Sequence, residues 1–211
     1  MMISTYRKLA WNYLLPGVLP LIIIFMWEYL SSTGRIRSTV LPAPSIIWDT
    51  AKDLIFSGEL YNHLVTSLSR VIQGFAIGSS VGLILGFLIA FSPVTERALL
   101  LVTGILRPIP IIAWVPVLIL WMGIDEASKV TVISIGTFWP VLLNVIHGIR
   151  STDPKLLELS RNLEKSHLEI FWHVTLPSAL PSLFTGMRIG IGIAWMSVIG
   201  AELIAASRGL G

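Results

Sequence analysis

The chain contains no cysteine among its 211 residues, which excludes disulfides and thiolate metal sites. Charge is scarce as well. Only 13% of residues are Asp, Glu, Lys or Arg against 54% hydrophobic, and a mean hydropathy of +0.80 is too high for a soluble domain. No G-x-x-x-x-G-K-[ST] phosphate loop occurs, so nothing in the chain is built to bind ATP. His63 stands alone in a polar stretch, and a metal site needs several ligands, so no metal is expected. The first apolar run ends in Trp27, Glu28 and Tyr29 with no small-residue cleavage site, so it is a retained span rather than a removed signal.

These absences leave an all-α integral membrane protein, read as a single transmembrane domain over 1–211. Hydropathy places five spans at 14–30, 71–91, 98–122, 129–149 and 183–205, the first closed by an aromatic interface anchor. Residues 31–70 form an outer amphipathic segment. Within it Ser45 opens a helix with Ile46, Ile47, Ala51, Leu54 and Ile55 on one side and Asp49, Lys52 and Asp53 on the other, suited to a membrane surface. Ser57 and Gly58 end that helix. In the second span Gly74, Gly78, Gly82 and Gly86 recur every four residues. They share one helix face, a seam where another helix can approach closely.

The third span holds Arg107, Pro108, Pro110, Trp114 and Pro116. Its interior prolines remove backbone hydrogen bonds and force a kink or break, and freed carbonyls at that depth need protein or water beside them. This marks the wall of a pathway. The fourth span carries Trp139, Pro140 and Asn144, and the fifth carries Arg188, Trp195 and Glu202. With the N-terminus inside, Arg7, Lys8, Arg97, Arg150, Lys155, Arg161 and Lys165 fall on the cytoplasmic side. Arg35, Arg37, Lys52, Lys129 and Arg208 fall outside, with Arg70 at the boundary. The excess agrees with the positive-inside rule.

Between the last two spans lies a charged loop, 150–177. Asp153 and Pro154 predict a helix start, giving a helix from Pro154 to about Leu163. Ser166 and Glu169 form an S-x-x-E capping box that predicts a second helix, ending before Leu176 and Pro177.

This loop resembles the coupling loop of ATP-binding-cassette (ABC) importer permeases, with its motif E-A-A, three residues, G, nine residues, I-x-L-P. Here Glu158, Leu159 and Ser160 fill the first triplet, Glu164 the glycine position, and Val174, Leu176 and Pro177 the end. Glu164 replaces a residue that takes the left-handed conformation, at a cost on the order of 1 kcal/mol. From about Ser57 onward the chain is similar to the sulfonate, taurine, nitrate and bicarbonate branch. The stretches RPIPIIAWVPVLILWMGIDEASK, LPSALPSLFTGMRIG and GAELIAASRGLG carry the likeness.

The resemblance implies a type I importer permease fold in a bacterial inner membrane, with a sixth span beyond Gly211. It also implies a second permease copy, two ATPase subunits that hold the ATP and Mg, and a separate extracytoplasmic substrate-binding protein. No cofactor is expected on this chain, no catalytic residue, and no nucleic-acid partner. Glu158 and Arg161 are expected to pair with ATPase charges, while Leu156, Leu163, Phe171 and Trp172 either fill its groove or face this chain's own span ends. Arg107 and Arg188 are expected either to attract an anion, with Pro110, Trp114 and Trp195 lining the same pathway, or to snorkel to the nearby interface. A secondary transporter or a membrane scaffold, coupled to no ATPase, stands as the alternative function.

Overall fold

The computed structural model describes residues 2–205 and 209, with side chains described for 17–204 and 209. The side chains of Arg7 and Lys8, and all of Arg208, lie outside the described residues. Among the described residues nine α-helices follow in order: α1 Met2–Ser32, α2 Pro44–Phe56, α3 Glu59–Phe91, α4 Pro93–Leu106, α5 Ile111–Met122, α6 Glu126–Arg150, α7 Pro154–Asn162, α8 His167–Ile170 and α9 Leu176–Ala205. A π-helical turn, Phe171–Thr175, joins α8 to α9. Residues 1–61 and 62–211 form two compact units.

In the first unit, α2 opens at Pro44 rather than Ser45, with Ala43 as its N-cap and no hydrogen bond from that side chain. The carboxylate of Glu28 on α1 supplies the missing acceptor. It receives the Ser45 amide at 3.0 Å and the Ser45 hydroxyl at 2.8 Å. The Trp27 indole N–H donates to the Pro42 carbonyl at 3.1 Å, so the anchor aromatic also fixes the α1–α2 connection. No residue of α2 is buried, and Trp48 and Phe56 are exposed.

In the second unit the chain is arranged around α6. Apolar residues of α3, α6 and α9 meet in one cluster at Val71, Ile133, Ala194 and Val198. Nearer the loop, Val141, Val145 and Ile149 of α6 pack with Ala179 and Leu183 of α9. Val115 and Leu118 of α5 join Val132 and Ala201 in a third. Lipid is as apolar as these side chains, so close backbone approach, not burial from water, has to hold such helices together. The four glycines of α3 provide it, all facing α6. A Cβ at Gly74 would lie 2.5 Å from Ile133, one at Gly78 would strike the Ser134 backbone, and those at Gly82 and Gly86 would press on Phe138, Val141 and Val145.

The expected element boundaries shift in several places. Residues 59–70 continue α3 instead of belonging to the amphipathic segment; nothing between Glu59 and Val71 breaks a helix, and Arg70 is neutralised inside the fold. The third expected span is two helices, α4 and α5, bent by 96° across residues 107–110. Pro108 and Pro110 remove two donors within a single turn, so the chain breaks rather than kinks. The second loop helix does not end before Leu176. Its π turn leads straight into α9, with the Leu176 amide bonded to the Phe171 carbonyl. The wider turn moves the carbonyl of His173 away from the Pro177 ring, which would clash with it in an α-helix. Among the described residues three helices are long and apolar enough to cross a membrane, or four if the bent pair is one span.

Candidate functional site

The loop after α6 is built from local signals. The Asp153 carboxylate accepts the Lys155 amide at 2.9 Å and Pro154 takes the first helical position. α7 closes in a Schellman arrangement, in which the Lys165 amide donates to the Ser160 carbonyl and the Glu164 amide to that of Arg161. The closing residue is Glu164, with φ 54°, the one non-glycine with positive φ among the described residues. Ser166 and Glu169 then form the reciprocal capping box that opens α8. The Ser166 amide at 2.9 Å, its hydroxyl and Lys165 hold the Glu169 carboxyl below the usual carboxylate range.

On this frame Glu158, Leu159, Arg161, Leu163, Glu164 and Trp172 are exposed, as are Leu156 and Leu168. The result is an exposed apolar surface with two carboxylates and a guanidinium on it, left open by the described residues. Ser160 is half-buried, its hydroxyl turned back to the Leu156 carbonyl at 2.7 Å. Phe171 is half-buried too. Its ring meets Phe87 and Phe91 edge-on, at centroid distances of 6.0 and 5.6 Å, so this residue faces the chain's own span ends. A cavity of about 600 Å³ lies under the loop between Phe87, Phe91, Ile149, Leu157 and Phe171, with Arg161 at its lining.

The expected pathway residues are less concentrated. Arg107 is the exposed C-cap of α4 and lines an open cavity of about 550 Å³ with Thr103, Gly104, Pro108 and Leu143. Pro110 is the exposed N-cap of α5. Trp114 is half-buried, and its indole N–H has no hydrogen-bond partner among the described residues. Arg188 and Trp195 lie exposed on α9 and do not line the Arg107 cavity. The structure therefore brings the loop residues together but does not gather the two arginines into one site.

At the opposite end of the same helices sits a buried ion network. Arg70 of α3 donates to both oxygens of Glu126 at the start of α6, at 2.6 and 2.7 Å, and through Nη1 to Glu202 of α9. Ser67 donates to Glu202 at 2.7 Å, and Lys129 reaches Glu126 at 3.0 Å. The Arg70 and Lys129 side chains are 4% and 6% exposed and that of Glu202 is 0%, while Glu126 is 63% exposed. Gly209 folds over the Glu202 carboxylate, leaving no room for a side chain, and its φ of +147° itself favours glycine. Its amide donates to His63 Nδ1 at 3.1 Å. The sequence carried the signal, because charges of both signs within apolar spans are expected to pair, and alternating span direction puts 70, 129 and 202 at one end.

Several long apolar helices, a proline-broken element and a capped helix pair between the last two of them are those of a multi-pass membrane protein. Residues 78–211 match the family of the binding-protein-dependent transport system inner membrane component, and the chain belongs to that family. It is 44% identical over 195 residues to the putative aliphatic sulfonates transport permease protein SsuC of Bacillus subtilis, covering 92% of this chain and 70% of that one. The SsuC of Escherichia coli is 41% identical, over 93% of this chain and 74% of that protein. The taurine transport system permease protein TauC of Escherichia coli is 30% identical, over 97% and 78%. The chain is an ABC transporter permease, and the secondary transporter and the scaffold fall away.

Proposed function

We propose that this chain forms one half of the membrane pathway of an ATP-driven importer for a small oxyanion. An aliphatic sulfonate heads the order, followed by taurine, nitrate and bicarbonate. Relatives named for aliphatic sulfonates, taurine and bicarbonate support that class of substrate, and nitrate rests on the sequence resemblance alone. On this reading five spans cross the inner membrane with the N-terminus inside, and two copies enclose the pathway. ATP and Mg reside on partner ATPases that grip α7 and α8, and a binding protein delivers substrate to the far side. Arg107, at the break between α4 and α5, attracts the anion.

The observation that carries the proposal is the uncovered apolar face of α7–α8, where Leu156, Leu159, Leu163, Leu168 and Trp172 are between 46% and 70% exposed. Exposed apolar groups grouped on a charged, projecting element mark a partner surface. The test is ATP hydrolysis and sulfonate uptake by the permease reconstituted with its ATPase and binding protein. Glu158→Lys should weaken ATPase binding or uncouple hydrolysis from uptake while the permease still inserts. Normal coupling in that variant removes Glu158 from the contact, and failure of the wild type to recruit an ATPase overturns the importer reading.

A further inference from the structure

We propose that Arg70 and Glu126 are positioning residues for transport. They form a latch at the far end of the helix bundle whose releasable arm is the first turn of α6. The proposal rests on the importer reading for its direction, since that reading makes the far end the outer one.

The argument starts from charge. Among the described residues the network divides into two neutral halves. Arg70 on α3 keeps Glu202 on α9, and Glu126 keeps Lys129 one turn further along α6. A buried charge is costly when separated from its partner. Parting the first turn of α6 from α3 leaves each cation beside a carboxylate, so that particular separation strands no charge. Exposure singles out the same seam. Glu202 is wholly buried, receives Ser67 and is covered by Gly209, whereas Glu126 is 63% exposed and water can replace Arg70 around it.

Local structure agrees. Asp125, the N-cap of α6, makes no side-chain capping bond, so the ion network and the Ser128 hydroxyl, which donates to the Asp125 carbonyl at 2.7 Å, fix this turn. Gly123, with φ 78°, precedes it, and α5, which starts at the α4–α5 break, ends at Met122 directly before it. Movement of α5 against α6 reaches Glu126 through three residues, 123–125. The latch thus links the end of the broken, pathway-side element to Arg70 of α3, which Glu202 of α9 holds from the other side, and opening the outer mouth breaks the Arg70–Glu126 contact.

The experiment uses the whole transporter in lipid nanodiscs, with ATPase and binding protein. Glu126→Gln keeps the shape and removes the charge. It should raise basal hydrolysis without binding protein by about three- to tenfold, the shift produced by losing one charge-assisted bond to an exposed group. It should also cut uptake per ATP, and Glu126→Asp should recover part of both. Amide hydrogen exchange at 126–130 should quicken in Glu126→Gln but not at 133–145, a readout that needs no turnover. Wild-type hydrolysis and exchange in Glu126→Gln overturn the latch, and so does a variant that fails to fold, because the arm would then be merely structural. If wild-type hydrolysis ignores the binding protein, the importer reading fails, while the exchange measurement still decides the latch.

Discussion

The helices α3, α6 and α9 are joined by opposite chemistries at their two ends, which α6 separates by about 37 Å at 1.5 Å per residue. At the loop end the ion pairs are exposed: Arg150 with Glu96 at 2.7 Å and Lys165 with Glu169 at 3.3 Å, all side chains 39% exposed or more. The apolar groups there are exposed as well. At the far end the cations are buried and one carboxylate alone meets solvent. Exposed pairs contribute little, about 0–1 kcal/mol. Breaking a buried pair by deleting one partner costs about 3–5 kcal/mol. One end is therefore shaped to be completed by another molecule, and the other completes itself.

The most damaging way to test this contrast is to cut between the ends. Gly78→Leu places a branched side chain against the backbone of Ser134, where nothing can yield. It should unfold the α3–α6 seam or lower stability by about 3 kcal/mol or more, since overpacking costs about 1–3 even where neighbours can shift. Thermal unfolding in detergent checks it, and an unchanged midpoint would mean that the seam opens freely. A medium effect should separate two adjacent aromatics. Phe171→Ala removes the ring seated on Phe87 and Phe91 and should cost about 1–2 kcal/mol, less than a fully buried Phe. Trp172→Ala should stay within about 0.5 kcal/mol yet lose ATPase binding. Equal stability losses would erase the distinction between covered and uncovered sides of the loop. The smallest effect is expected at Glu164→Gly, which relieves the left-handed φ of 54°. It should be tolerated or stabilise the loop by up to about 0.5 kcal/mol, net of the added freedom of the unfolded chain. A loss of coupling there would reveal a specific bond made by the glutamate.

Much of the loop was legible because its signals act at fixed short offsets. Asp153–Pro154 and Ser166–Glu169 each depend on residues within one turn, whereas the left-handed position at Glu164 was legible only through the resemblance to the coupling-loop motif. The glycine repeat of α3 was legible as a face, though the sequence did not say that α6 fills it. The 96° bend was legible only as a break, because proline removes a bond without fixing a direction. The network was overlooked for a different reason. Its partners lie 56 and 132 residues apart, and taken one at a time Arg70 resembles a flank and Glu202 an isolated polar residue. The two pathway arginines were paired on their similar depth in the sequence, and only Arg107 lines the cavity at the α4–α5 break.

The π turn at Phe171–Thr175 sets a phase. An α-helix advances about 100° per residue, so one extra residue in the turn rotates everything before it by about that angle relative to everything after. Trp172 and the helix pair before it thus point to a different compass bearing than an unbroken α9 would give them. Any push on α7 arrives at the membrane part of α9 already turned, as torque about the helix axis. Evolution can retune that bearing with one insertion or deletion, leaving every contact inside the span in register.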